Sequence, residues 1–155
     1  MLHKSNKVIP SHSKYLSDNS LFEDDGFKVV TNGVEVKAWP EFADHSSQLL
    51  EQMNVWSYNI KITNNNNKVI KLKSRYFKIV DEDGGSKEVT GEGVIGKQPE
   101  ILPNDFFEYQ SSVSLKSDSA IMSGYYVMEF IGGEEFKVKV PAFSLDLPVA
   151  NYMVN

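Results

Sequence analysis

Val89-Thr90-Gly91-Glu92-Gly93-Val94-Ile95-Gly96-Lys97-Gln98-Pro99-Glu100-Ile101-Leu102-Pro103 carries three glycines at G-x-G-x-x-G spacing, a Gln-Pro pair and a second proline in an apolar frame. Its reading decides the fold. In a dinucleotide-binding α/β fold such glycines follow a strand and open a helix, whose N-terminal amides hold a pyrophosphate. Here Pro99 and Pro103 follow within a few residues, and no apolar period of 3.6 runs between them. Proline removes a backbone donor and disfavours helical geometry in the residue before it. Gly91, Gly93 and Gly96 therefore mark a shaped loop between strands rather than a phosphate cradle.

Working outward from this loop, the apolar residues alternate. Trp56, Tyr58, Ile60 and Ile62 interleave with Ser57, Asn59, Lys61 and Thr63, the pattern of a half-buried strand. The asparagine run Asn64 to Asn67 is a turn, because asparagine tolerates left-handed backbone. In the next strand Ile70, Leu72 and Tyr76 share one parity while Phe77 and Ile79 take the other, which predicts a bulge or bend near Arg75-Tyr76. Asp81 to Gly85 is a turn, Lys87 to Thr90 a short strand into the glycine loop, and Pro103-Asn104-Asp105 a further turn before Phe106 to Val113. After a serine-rich connection, Gly124 to Ile131 sets Tyr125 and Val127 on one face against Tyr126, Met128 and Phe130 on the other. Gly132-Gly133 closes a hairpin into Phe136, Val138 and Val140, and Pro141 to Leu147 predicts a separate short final strand.

Upstream, Phe27 to Ala38 shows the same alternation around Asn32-Gly33, which is either a two-residue turn or a glycine bulge in one bent strand. Pro40 to Met53 is expected to be a longer connection with one helical turn at Ser47 to Met53, and residues 1–26 a flexible polar extension ahead of a domain over 27–155. The fold class is all-β: an antiparallel β-sandwich of about seven to eight strands.

A chain of 155 residues with 41% apolar content suits one domain. The absence of cysteine removes disulfides and thiolate sites and fits a reducing cytoplasm. A net charge of −5 argues against nucleic acid as a general partner. No run approaches the roughly 20 apolar residues that cross a bilayer, and Met1 to Pro10 lacks the apolar core of a secretory signal.

The run from Trp56 to Pro148 resembles the ApaG family, a bacterial domain also found in some eukaryotic F-box and polymerase-interacting proteins. The matching pieces are Tyr58-x-Ile60-x-Ile62-x-Asn64, Val69-x-Lys71-Leu72-x-x-Arg75-Tyr76-Phe77-x-Ile79-x-Asp81, and Val89-x-Gly91-x-Gly93-Val94-x-Gly96-x-Gln98-Pro99. Leu102-Pro103, Phe106 with Tyr109, Met122-x-Gly124-x-Tyr126-x-Met128, and Phe136 with Pro141-x-Phe143-x-Leu145 complete them. The resemblance implies a fibronectin type III-like (immunoglobulin-like) sandwich and favours one bent first strand. It also implies an association with cobalt and magnesium homeostasis. The family usually carries Arg-His-Trp where Arg75-Tyr76-Phe77 stands, Pro-Gly at Pro103-Asn104, and a glycine before the methionine where Ala120-Ile121 precedes Met122.

The chemistry-bearing residues are sparse. His3, His12 and His45 all precede the main run of strands and lack paired ligand spacing, a poor site for an imidazole-seeking cation. Asp81-Glu82-Asp83 offers oxygens to Mg²⁺ or Ca²⁺ but reads first as a solvated turn. No serine lies in a G-x-S-x-G elbow, and Glu92 and Glu108 are isolated carboxylates, so the chain reads as a non-enzyme with no cofactor. Lys61, Lys71, Lys73 and Arg75 fall on the polar parity of two strands expected to pair. The candidate partner- or ligand-binding residues are Gly91, Gly93, Gly96, Lys97, Gln98 and Pro99, with Arg75 and with Val94, Ile95 and Glu100 presented beside them. The expected function is a non-enzymatic binding module for an unidentified protein, with homodimerisation through sheet edges as a further expectation. The alternative is a small-ligand domain taking a divalent cation or a phosphate or nucleotide anion at Gly91 to Gly96.

Overall fold

The computed structural model describes residues 26–46 and 53–148; every regular element within them is a strand. In chain order these are β1 (Phe27–Thr31), β2 (Val34–Ser46), β3 (Met53–Asn64), β4 (Ile70–Asp81), β5 (Ser86–Glu92), β6 (Glu100–Ile101), β7 (Phe106–Leu115), β8 (Ser119–Phe130) and β9 (Glu135–Asp146). One antiparallel sheet has the order β1-β2-β3-β7; the other has β5-β4-β8-β9, with β6 also paired to β4. The chain is thus an antiparallel β-sandwich, as the alternation predicts. Of the extension expected over residues 1–26, residues 1–25 lie outside the described residues, as do residues 47–52 of the helical turn expected at Ser47 to Met53; Met53 itself opens β3.

Strict alternation drives the layering. Along β3 every second residue from Asn54 to Asn64 is buried, and Trp56, Tyr58, Ile60 and Ile62 meet Phe107 and Tyr109 of β7 in one half of the core. The other half comes from Ile70, Leu72, Phe77 and Ile79 of β4, Met122, Tyr126 and Met128 of β8, and Val138, Val140, Phe143 and Leu145 of β9. Trp56 donates its indole N–H to the carbonyl of Asp146 at 3.0 Å, pinning the first sheet to the end of β9. On the same side Phe27 packs against Phe143 and the amide of Lys139 donates to Thr31 Oγ1, so β1 closes over β9. Among the described residues the opposite side is open: β5 and β7 each have one neighbour in their own sheet. A cavity of about 310 Å³ lies between them, lined among others by Ile79, Ser86, Lys87, Ser114 and Leu115.

Several local expectations are corrected. The first strand is not one bent strand but the β1–β2 hairpin, with Thr31 opposite Val34. Asn32 and Gly33 both take positive φ, 48° and 75°, which is the two-residue turn that matches strand twist. Pro40 to Ser46 is not a connection: β2 continues through it against β3 with an irregularity between Phe42 and Asp44. The phase slip in β4 sits at Lys73, between Leu72 and Ser74, rather than at Arg75-Tyr76. That bulge returns Phe77 and Ile79 to the core face shared with Ile70 and Leu72, and sends Tyr76 outward instead of grouping it with them. The serine-rich segment before Gly124 already belongs to β8, from Ser119. Pro141 to Asp146 is no separate strand either: β9 runs through it, and an irregularity opposite Met122/Gly124 produces the change of parity between Val140 and Phe143. Lys61 lies in a different sheet from Lys71, Lys73 and Arg75, so the two strands expected to pair do not, and these four share no face.

Candidate functional site

The bulge at Lys73 organises the glycine–proline loop. β5 pairs with β4 from Val80 back to Ser74, and β6 pairs with Ile70 and Lys71, so the chain must leave β4 between them. Lys73 lies in that gap, and its carbonyl accepts from the amide of Gly93 and the side-chain Nε2 of Gln98, both at 2.8 Å. The amide of Leu72 donates to the carbonyl of Pro99 at 3.0 Å. Across the loop, Arg75 Nη1 donates to the carbonyls of Gly93 at 2.7 Å and Glu92 at 3.3 Å. A backbone disrupted by a bulge is thus satisfied by the loop beside it.

Between these anchors the chain makes a two-residue turn. Val94 and Lys97 exchange both N–H···O bonds, at 2.8 and 2.9 Å, around Ile95 and Gly96. Their φ values are 45° and 74°. Glycine takes such a conformation freely, whereas for a β-branched residue it is an outlier. Ile95 is nonetheless 43% exposed, so no core contact offsets its strain. Val94, expected to be presented to a partner, is instead fully buried and anchors the turn from below.

The structure brings all seven candidate residues into one patch, and gives most of them a structural duty. Gly93 has φ 60°, and a Cβ there would lie 2.0 Å from the carbonyl oxygen of Lys97. Gly91 sits opposite Arg75, whose guanidinium would be 2.9 Å from an added Cβ. Gly96 needs only its left-handed backbone, for nothing lies within 4 Å of its missing Cβ. Lys97 contributes its backbone to the turn and exposes its side chain, Gln98 ties down Lys73, and Pro99 offers its carbonyl. The amides of Gly93, Val94 and Lys97 already donate within the protein, which leaves little of a nest for an anion. Among the described residues no three of His, Cys, Asp and Glu are placed to hold a metal ion.

Two neighbouring features have no counterpart among the candidate residues. On the outer face next to Arg75, Tyr76 stacks on Tyr125 at 4.9 Å, Lys137 Nζ lies 4.5 Å over the Tyr125 ring, and the Tyr76 hydroxyl donates to Glu88. The opposite-face assignment of Tyr125 and Tyr126 was legible from parity; the stack across β4 and β8 depends on the register that the bulge sets. Inside, the hydroxyls of Tyr109 and Tyr126 hydrogen-bond across the two sheets. Burial pushes both tyrosines well above the ordinary phenol range and also raises Tyr58, while Arg75 acts in the opposite direction on all three.

A family model for the ApaG domain matches residues 44–130. An ApaG protein of Brucella anthropi is 41% identical over 129 residues, covering 83% of this chain and 99% of the relative. One from a Bradyrhizobium strain is 42% identical with the same coverage. An X-ray structure from the Northeast Structural Genomics Consortium superposes with a TM-score of 0.73 at 32% identity, covering 78% of this chain and 92% of its own. A crystal structure from Bordetella pertussis gives 0.69 at 31%, covering 75% and 94%. Fold, loop and sequence agree: the chain belongs to the ApaG domain family.

Proposed function

We propose that this chain is a non-enzymatic protein-interaction module that presents the turn Val94-Ile95-Gly96-Lys97, with the edge of β5 beside it, to a protein partner. One observation carries the reading: Ile95 is exposed at the tip of the turn in a conformation that an isoleucine adopts only at a cost in stability. Backbone strain of this kind costs about 1–3 kcal/mol and concentrates at sites where it serves recognition or mechanism. The tip is held from both sides by Arg75, Gln98 and Gly93, so it is offered to a partner already shaped, which lowers the ordering cost of binding. The net charge of −5 and the exposed Glu92 and Glu100 beside the loop suit a protein partner better than a phosphate backbone. The link to cobalt and magnesium homeostasis suggested by the family resemblance would then run through the partner, in the cytoplasm.

The test compares affinity captures from lysate with the wild-type chain and with Ile95→Asn, which keeps the left-handed backbone and removes the apolar tip. The reading expects partners that the wild type retains and the variant loses at equal folded fraction. An identical partner set from both baits would overturn it.

A further inference from the structure

We propose that β7 is a self-pairing edge: two copies of the chain join through antiparallel β7 strands about a twofold axis, making one continuous sheet of β1-β2-β3-β7 and its symmetry mate. Among the described residues β7 is the outermost strand of its sheet and pairs only with β3, in an unbroken register from Thr63↔Phe106 to Asn54↔Leu115. The amide of Asn64 donates to the carbonyl of Asp105, which turns the odd-numbered residues of this segment toward β3. In agreement, the amide of Phe106 is taken by the carboxylate of Asp105 next to it instead of by β3. The parity leaves the N–H and C=O groups of Glu108, Gln110, Ser112 and Ser114 directed away from the sheet. Their side chains are the outer-face set, polar and mostly exposed.

Edge strands are normally guarded against pairing by lysine, proline, bulges or inward charges. β7, Phe-Phe-Glu-Tyr-Gln-Ser-Ser-Val-Ser-Leu, contains no lysine, arginine, proline or glycine and no register shift. The other edge on the open side is guarded against self-pairing by charge: β5 carries Lys87, Glu88 and Glu92. β1 and β9 close over one another. The unguarded edge therefore belongs to β7.

Self-complementarity selects a second copy as its occupant. With Gln110 opposite Ser112 of the symmetry mate, Glu108 falls opposite Ser114, and no like charges meet because Glu108 is the one charged residue of the strand. Each outward-facing residue then lies in a hydrogen-bonded pair that exchanges two N–H···O bonds. Residues facing the core in one copy stay on the core side in both, so the interiors of the two sandwiches line up along the shared sheet.

The decisive experiment is sedimentation velocity of the full chain over a concentration series, with two variants. Ser112→Pro removes one outward N–H and leaves the β3 ladder intact, as proline is tolerated at a free edge; it should weaken dimerisation about tenfold or more, with a cooperative unfolding transition retained. Gln110→Cys/Ser112→Cys should form an intermolecular disulfide under oxidation, a clean reading because the wild-type chain has no cysteine. A wild type that stays monomeric at the highest concentration reached would overturn the proposal. So would a dimer that Ser112→Pro leaves unchanged and the cysteine pair fails to cross-link. Loss of the Ile95 partners leaves this result untouched, since the turn and β7 belong to different sheets.

Discussion

Replacing Gly93 and Gly96 separately by alanine distinguishes the two demands that the loop makes on glycine. Both residues have positive φ, 60° and 74°. An L-residue in that region costs about 1–2 kcal/mol, so the backbone term is nearly the same for the two. Space differs sharply. At Gly96 the added methyl meets nothing within 4 Å; at Gly93 it would lie 2.0 Å from the carbonyl oxygen of Lys97 and 2.7 Å from its carbon. Relief requires the Lys97 carbonyl to move by more than an ångström, which breaks the 2.8 Å bond it accepts from Val94 and disturbs the Gly93 bond to Lys73. Each lost bond adds about 0.5–1.5 kcal/mol. Gly96→Ala should therefore cost about 1–2 kcal/mol and Gly93→Ala about 2–5. Urea unfolding followed by tryptophan fluorescence reads both, since Trp56 is buried in the core. With a slope of about 2 kcal/mol/M the midpoint should fall by about 0.5–1 M for Gly96→Ala and about 1–2.5 M for Gly93→Ala. Equal shifts would show that close packing of Gly93 against Lys97 is not what holds the loop.

Other outcomes follow from the same geometry. Ile95→Asn should stabilise the chain by about 1 kcal/mol, because asparagine enters the left-handed region at lower cost; a lower thermal midpoint would argue against strain at this tip. Asn64→Ala should destabilise by about 2–4 kcal/mol: Asn64 is fully buried and its amide donates to the carbonyls of Lys68 and Ile101, which would lose their partner. An Asn66→Ala control, whose side chain makes an exposed bond to Asn32, should cost less than about 1 kcal/mol in the same denaturation series. Stability should also fall in alkali. Tyr109 and Tyr126 are raised above their unfolded value near 10, so their contribution is complete below that pH and is lost as pH climbs toward their folded pKa values. The loss should approach about 1.4 kcal/mol per pH unit for each group, and the Tyr109→Phe/Tyr126→Phe variant should show a shallower decline from pH 10 upward. Parallel declines would mean that these hydroxyls are not held protonated by the core.

Much of this architecture could be read locally. Trp56 to Asn64 alternates without a fault and forms a strand without a fault. Pro103-Asn104 was legible as a turn, and Asn104 takes φ 62°, with Asp105 donating back to Leu102. Errors arose where a parity change had two local readings. Val140 and Phe143 lie on the same side of one strand that slips register at Pro141, and the same two-letter pattern is equally consistent with a strand end and a new beginning. For the site, the glycines and Gln98 were visible as a group, but Lys73 was not. Its role is carried by a main-chain carbonyl, which leaves no mark in the identity of its side chain.

Sequence alone determined what depends on neighbours along the chain. The period of two marked most of the strands, proline after the glycines argued against a phosphate-binding helix, and the asparagine run at Asn64 to Asn67 and Pro103-Asn104 marked turns, since each rests on backbone preferences a few residues long. Tertiary structure decided the rest. It alone placed the bulge at Lys73, buried Val94 while leaving Ile95 outside, put Lys61 in the opposite sheet from Arg75, and left β7 as an unguarded edge. Those outcomes depend on which strands pair and in which register, and register is set by contacts between residues far apart in sequence.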